Sequence, residues 1–229
     1  MNAAADPSPF FAYDRRLVQL DRLGAVELVD RFLEGSGHDV AALDSDVFVP
    51  ALELTGQQWE EGRITVAHEH SISEVTRDLI LRHGPRLWAA PEAITGTAVS
   101  CCAPNERHVL ALMMGSDLLR AAGLQVHLLG EGAPADSVRD FIEQVGADVL
   151  ALSVSLPEHR DDARSLIALA RSSRPWLLVL AGGRGLNGLS DPASHVGADF
   201  ASNDLRTLHR ILPGLLASHS SLRRSDQPS

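Results

Sequence analysis

Glu106 and His108 stand two residues apart, directly after the small, apolar run Thr95–Cys102. That spacing lets one histidine ring nitrogen bind a metal ion while the other donates to the carboxylate, which sets the tautomer and strengthens the ligand. Two further features close later apolar runs. Ser153-Val154-Ser155 ends one, and Gly182-Gly183 ends another, where the missing side chains let a flat or bulky group come close to the backbone. Farther upstream, Trp59 is followed by Glu69-His70, an aromatic ring and an acid–imidazole pair. Each feature alone has an ordinary explanation: a polar loop histidine, a tight turn, a core tryptophan. The placement of the first three at successive strand ends, with the fourth on the segment ahead of them, is what points to a ligand.

The elements that must position these residues are of two kinds. Before Ala90-Pro91 the apolar residues recur at helical steps. Leu17, Leu20 and Leu23 lead into Val26, Leu28, Val29, Phe32 and Leu33, which end at Gly35-Ser36-Gly37. A short helix over 39–43, a helix over 47–60 broken by Gly62, and a helix over 65–83 stopped by Gly84-Pro85 complete a four-helix bundle. On the last of these, Val66, Glu69, His70 and Ser73 share one face, while Ile72, Val75 and Leu79 share another.

After Pro91 strands and helices alternate. Strands are predicted at 95–102, 125–129, 148–155, 176–181 and 199–201, with helices at 106–122, 135–144, 159–172 and 205–216. Continuous apolar strands such as Leu177-Leu178-Val179-Leu180-Ala181 imply burial on both faces, and so a doubly wound, flavodoxin-like (Rossmann-like) parallel sheet with ligands at its carboxyl ends. The chain thus divides into a disordered start (1–12), a four-helix bundle (13–90), an α/β ligand domain (91–217) and a disordered tail (218–229).

Composition excludes several functions. The chain has 229 residues, 45% hydrophobic and 22% charged, and all 20 positive side chains are arginine. With no lysine, Schiff-base enzymes and lysine-dependent phosphate loops are ruled out. A net charge of −10 argues against nucleic-acid binding. No apolar run reaches membrane-spanning length and no leader is recognisable, so a cytoplasmic location is expected. The adjacent Cys101 and Cys102 cannot form a loop-closing disulfide and fit a reducing compartment, where they pack as small apolar groups or place a thiolate near the ligand. His68-Glu69-His70 is a poor zinc site: Ile72 stands where the second histidine of a His-Glu-x-x-His helix would be, and residues 68 and 70 point to different sides. Gly185-Leu186-Asn187-Gly188-Leu189 reads as a turn rather than a dinucleotide fingerprint.

Taken together, the order and spacing resemble the cobalamin-binding modules of corrinoid proteins. Their Asp/Glu-x-His-x-x-Gly, Ser-x-Leu and Gly-Gly pattern stands here as Glu106-Arg107-His108-Val109-Leu110-Ala111, Ser153-Val154-Ser155 and Gly182-Gly183. The resemblance covers roughly residues 15 to 216. It implies His108 as the lower axial cobalt ligand, Glu106 and Ser153 as residues that tune it, and Ser155, Gly182 and Gly183 as the lining of a slot for the nucleotide tail. Ala111 and Ser155 depart from the pattern. Trp59 with Glu69-His70 after nine intervening residues is similar to the adenosylcobalamin photoreceptors of the CarH type, which implies that these three cap the upper face of the corrin. Those photoreceptors carry a MerR-type DNA-binding module that the residues ahead of this bundle are too few to encode. They also have a histidine directly after the tryptophan, where Glu60 stands here.

The expectation is a non-enzymatic, stand-alone cobalamin sensor, responsive to light through adenosylcobalamin and signalling to a protein effector. The spare histidines permit a bilin as a second chromophore. Self-association is common among parallel-sheet domains of this kind, although no patch in the sequence marks an interface. The alternative is a corrinoid methyl carrier that serves separate methyltransferases.

Overall fold

The computed structural model describes residues 8–225, which fall into two compact units meeting at Arg86 and Leu87. The first unit is helical: α1 (Pro9–Val18), α2 (Arg22–Gly35), α3 (Val40–Leu43), α4 (Val49–Glu60) and α5 (Val66–His83). A π-helical turn over Asp44–Phe48 joins α3 to α4 without a break, so four helical rods result. Pro50, at the start of α4, lacks an N–H and its ring would crowd the carbonyl four residues back; the wider turn ahead of it relieves both.

Tyr13, Leu17, Val29, Leu33, Phe48, Ile72 and Leu79 are buried in this unit. Polar ties fix α1 within it. Tyr13 Oη lies 3.0 Å from Thr76 Oγ1, and the buried Asp14 accepts from Gln58 Nε2 at 2.8 Å and Thr55 Oγ1 at 3.3 Å. Burial raises the Asp14 carboxyl despite those bonds. At the other end, Thr65 caps α5 by accepting from the His68 N–H.

Three expectations change here. Helix begins at Pro9, with Pro at its first turn, so disorder does not extend to residue 12; residues 1–7 lie outside the described residues. The long first helix is two helices, because Leu20 turns to a φ of 59° and Asp21 caps α2 by accepting from Gly24 N. Leu20 and Leu23 are consequently exposed rather than core. The unit also ends before residue 90: Ala89 N donates to Arg120 O and Trp88 Nε1 to Asp117, which ties this stretch to the following unit.

His83, in the last turn of α5, is 1% exposed, and neither ring nitrogen has a hydrogen-bond partner among the described residues. Burial, followed by the charges of Arg86 and Arg82 and against the pull of Asp30, lowers its pKa below 6.5. The unfolded chain therefore binds a proton before the folded one does. The stability that this neutral ring confers is complete above about 6.5 and is lost as pH falls through the lower folded value. Thermal melts between pH 7 and 5 should show a steeper loss in the wild type than in His83→Leu; parallel curves would contradict this.

The second unit is a parallel five-stranded sheet in the order β2-β1-β3-β4-β5, formed by β1 (Gly96–Cys102), β2 (Leu124–Gly130), β3 (Val149–Ser153), β4 (Leu178–Gly182) and β5 (Phe200–Ala201). Its helices are α6 (Leu110–Ala121), α7 (Ala135–Gln144), α8 (Arg160–Ser173), α9 (Pro192–Val196) and α10 (Leu205–Ser225). One face packs Val99, Leu150, Leu152 and Val179 against α7 and α8; the other packs Ala98, Val149, Leu178 and Leu180 against Leu119 of α6 and Leu212 of α10. Apolar burial on both faces is what the unbroken strand runs dictate. α10 continues to Ser225, so the expected disorder from residue 218 is corrected; its amphipathic residues carry the helix past Pro213, and residues 226–229 lie outside the described residues. No helix among the described residues is long and apolar enough to cross a membrane.

Candidate functional site

In a sheet of this order the chain leaves β1 toward β2 on one side and returns past it to β3 on the other. The crevice outside the carboxyl ends of β1 and β3 is therefore the place for a ligand. Both loops that border it carry site residues. After β1, Ala103-Pro104-Asn105-Glu106 forms a tight turn: Glu106 N donates to Ala103 O at 3.0 Å, and Asn105 has a φ of 68°. Proline at the second position and a left-handed asparagine at the third suit a type II turn, and Asn105 Nδ2 anchors it to Asp162 of α8. The helix expected from residue 106 starts instead at Leu110, because Glu106 is drawn inward and residues 106–109 run irregularly.

Glu106 is the hub. Its side chain is fully buried and accepts six hydrogen bonds. On Oε1 they come from Arg107 N (2.8 Å), His108 N (2.9 Å) and His108 Nδ1 (2.5 Å). On Oε2 they come from Ser155 N (2.7 Å), Leu156 N (3.1 Å) and His159 Nδ1 (3.2 Å). Burial by itself would raise this carboxyl; the bonds from His108, His159 and Ser155 outweigh it and hold the group far below the usual carboxylate range. It is an ionised carboxylate clamped between two loops.

The clamp determines what His108 can do. With Nδ1–H donating to Glu106, the ring's lone pair lies on Nε2, and the carboxylate behind it raises its basicity. The His108 side chain is 55% exposed, so a ligand can reach it. Cys102 Sγ donates weakly to the His108 carbonyl oxygen at 3.7 Å. Burial, with Glu106 and Glu131 adding to it, pushes the Cys102 thiol up to about 12, and burial pushes Cys101 to about 12 as well, so neither supplies a thiolate at neutral pH.

The remaining expected residues fall into place unevenly. Ser153 ends β3 with its Oγ buried and without a hydrogen-bond partner among the described residues. Such a hydroxyl costs on the order of 1–3 kcal/mol unless a ligand or water completes it. Ser155 contributes through its backbone N–H to Glu106, not through a visible slot. Gly182 and Gly183 lie where the chain approaches itself: a Cβ on Gly183, whose φ is 115°, would lie 2.4 Å from Val154 O, and one on Gly182 would lie 3.0 Å from Ser202 O. The glycines let the loop after β3 pack against the end of β4, with Val154 N donating to Gly182 O at 2.7 Å.

His159 was not foreseen as a site residue. It lies six residues past Ser153 at the foot of α8, mostly buried, as a second imidazole on Glu106. The available signal was its position after a strand end, the same that marks His108.

In the helical unit, Trp59 at the end of α4 is 48% exposed, so it is not a core residue. Glu69 is held by both oxygens, accepting from His70 Nδ1 at 2.5 Å and Ser73 Oγ at 2.7 Å, while His70 is largely exposed. His68 is engaged with Thr65 at 2.7 Å. Among the described residues no group of three or more His, Cys, Asp or Glu side chains could hold a metal ion by itself. A single exposed imidazole backed by a buried carboxylate suits a metal that brings its other ligands with it, as cobalt in a corrin does. The partnerless Ser153 hydroxyl at the end of β3 fits the same group.

Comparison with known proteins agrees. Residues 96–202 match the family model of a B12 binding domain, and residues 12–81 match a second model with the same description. Over 139 residues, 60% of this chain and 46% of the relative, the sequence is 31% identical to the HTH-type transcriptional repressor CarH of Myxococcus xanthus. The chain thus spans about half the length of that relative. Among solved structures, the monomethylamine corrinoid protein of Methanosarcina barkeri superposes with a TM-score of 0.75 at 16% identity, over 90% of this chain and 98% of that one. A chain of the methanol:cobalamin methyltransferase complex MtaBC from the same organism gives 0.50 at 17% identity, over 96% and 85%. These structural likenesses are likenesses of fold.

Proposed function

For a chain that carries a B12-binding domain of each kind and has cobalamin as its cofactor, we propose the role of a light-responsive sensor that works by binding rather than catalysis and signals to a protein effector. The observation that carries this reading is Trp59. Its indole is half-exposed at the end of α4, where a ligand can reach it, and the CarH relative supports a corrin upper face as what it meets. Adenosylcobalamin supplies a light-labile cobalt–carbon bond when bound. His108 would hold the cobalt through Nε2, with Glu106 fixing its ring. Trp59 at the end of α4, with Glu69 and His70 on α5, would contact the cofactor's adenosyl group, and light would remove that contact from the helical unit. The signal is that change in the helical unit. The acidic surface, with net charge −10, favours a protein effector over nucleic acid. The proposed role needs cobalamin alone and no bilin.

A second reading, the corrinoid methyl carrier, is favoured by the overlap with 98% of the monomethylamine corrinoid protein. One experiment separates them. Protein loaded with adenosylcobalamin in darkness should change its absorbance spectrum under green light, and Trp59→Ala should lose the adenosyl group faster. A spectrum stable to light, together with methyl turnover when methylcobalamin and a methyltransferase are supplied, would establish the carrier and overturn the sensor.

A further inference from the structure

Where Asp14 ties α1 to α4, the two helices leave a groove of about 400 Å3 between them. That volume falls in the range of about 300–1,000 Å3 that small ligands occupy. Phe11 and Val18 of α1 and Leu54 of α4 give it apolar walls. Two of its polar lining groups are almost fully buried, Asp14 and Gln58 each being 7% exposed. Gln58 Nε2 donates to Asp14 at 2.8 Å, and its carbonyl oxygen accepts no hydrogen bond among the described residues. Two exposed arginines complete the lining. Arg63 is paired through Nε with Glu61 at 2.6 Å, while Arg15 has no side-chain partner among the described residues.

The tie between helices accounts for part of this arrangement only. The donors to Asp14, Gln58 and Thr55, are neutral, and no cation pairs with it among the described residues. Burial therefore raises its carboxyl against those bonds and the charge of Arg63. A cation brought to Asp14 would offset the cost of burying that charge. Holding α1 against α4 requires neither an unpaired guanidinium nor an apolar groove beside the carboxylate.

The groove thus offers an acceptor pair, a cationic pair and apolar walls within one small space. A molecule with a positive group alone would leave the arginines unmet, and one with a negative group alone would bring an anion against the Asp14 carboxylate. A free α-amino acid carries both charges and an apolar body on one carbon. We propose that this groove binds a free α-amino acid with an apolar side chain. Its ammonium group meets Asp14 and the Gln58 carbonyl oxygen, its carboxylate meets Arg15 and Arg63, and its side chain lies on Phe11, Val18 and Leu54. The site lies wholly within the helical unit, and none of these residues is among those placed around cobalt, so it stands independently of the cobalamin reading.

The test is titration calorimetry of the full chain at pH 7 with L-leucine, L-methionine and L-phenylalanine. Phenethylamine, which lacks the carboxylate, and hydrocinnamate, which lacks the ammonium group, serve as single-charge analogues. At least one amino acid should bind with a dissociation constant below about 1 mM. Each analogue should bind about tenfold or more weakly than L-phenylalanine, because it leaves one charged partner unmet. Arg15→Gln should weaken the amino acids about tenfold and leave phenethylamine unchanged, since only the carboxylate contact is lost. Arg15 is exposed and unpaired, so its replacement should not alter the melting temperature, which keeps the test valid even if Asp14→Asn loosens α1. Binding of none of the three amino acids would overturn the proposal. So would an analogue that binds as tightly as L-phenylalanine, or an Arg15→Gln protein with undiminished amino-acid affinity.

Discussion

His108→Ala protein mixed with adenosylcobalamin in darkness should lose the imidazole-ligated spectrum and bind on the order of 100-fold more weakly than the wild type. The expectation comes from how much of the site exists to serve this ring. The type II turn at 103–106, the buried carboxylate and the late start of α6 at Leu110 all act to present one imidazole at the switch point of the sheet. Since the side chain is 55% exposed, its removal leaves an opening rather than a collapsed core, so the fold should survive. The same opening lets free imidazole in solution restore part of the ligated spectrum. Unaltered cobalamin affinity and spectrum in the variant would remove His108 from the ligand role.

The second large effect is at Glu106, where affinity and stability should fall together. Glu106→Gln keeps the shape but replaces one acceptor oxygen with a donor NH2, facing either the donors on the His108 side or those from Ser155, Leu156 and His159. Cobalamin affinity should drop about 10–100-fold, the usual cost of removing the residue that orients a metal-bound histidine. Unfolding should become easier by about 3–5 kcal/mol, since a buried charge-assisted cluster loses its centre. The pH signature is specific. Because the folded carboxyl is held far below its unfolded value near 4.3, its contribution to stability is complete above about that pH and is lost as pH falls through the folded value. Chemical denaturation between pH 7 and 3 should therefore show an acid-dependent loss in the wild type that is diminished in Glu106→Gln. Equal stability of the two proteins at pH 7 would contradict the assigned role of the carboxylate.

Much of this was legible in the residues. The strands announce themselves because burial on both faces demands unbroken apolar runs, and each observed strand lies within two residues of its predicted start and end. Glu106 and His108 were legible because two residues of one loop set their relation. What could not be read depends on contacts made across the fold. The helix expected from residue 106 yields to backbone donors at 155 and 156 that only the closed sheet brings near. Gly182-Gly183 was visible as a place of close approach, but the sequence does not say that Val154 is the group approaching. Leu20 adopts a positive φ with no glycine or asparagine to signal it, so one amphipathic pattern covered two helices. His159 becomes a site residue only once β1 and β3 lie side by side.

The central claim is that this chain holds cobalt through the imidazole of His108. The most direct measurement is the electron paramagnetic resonance spectrum of the cobalt(II) form bound to protein labelled uniformly with nitrogen-15, using unlabelled cobalamin. A protein imidazole below cobalt splits each cobalt line into two, and His108→Ala abolishes that doublet. Splitting into three, which comes from the unlabelled benzimidazole of the cofactor, would contradict the account.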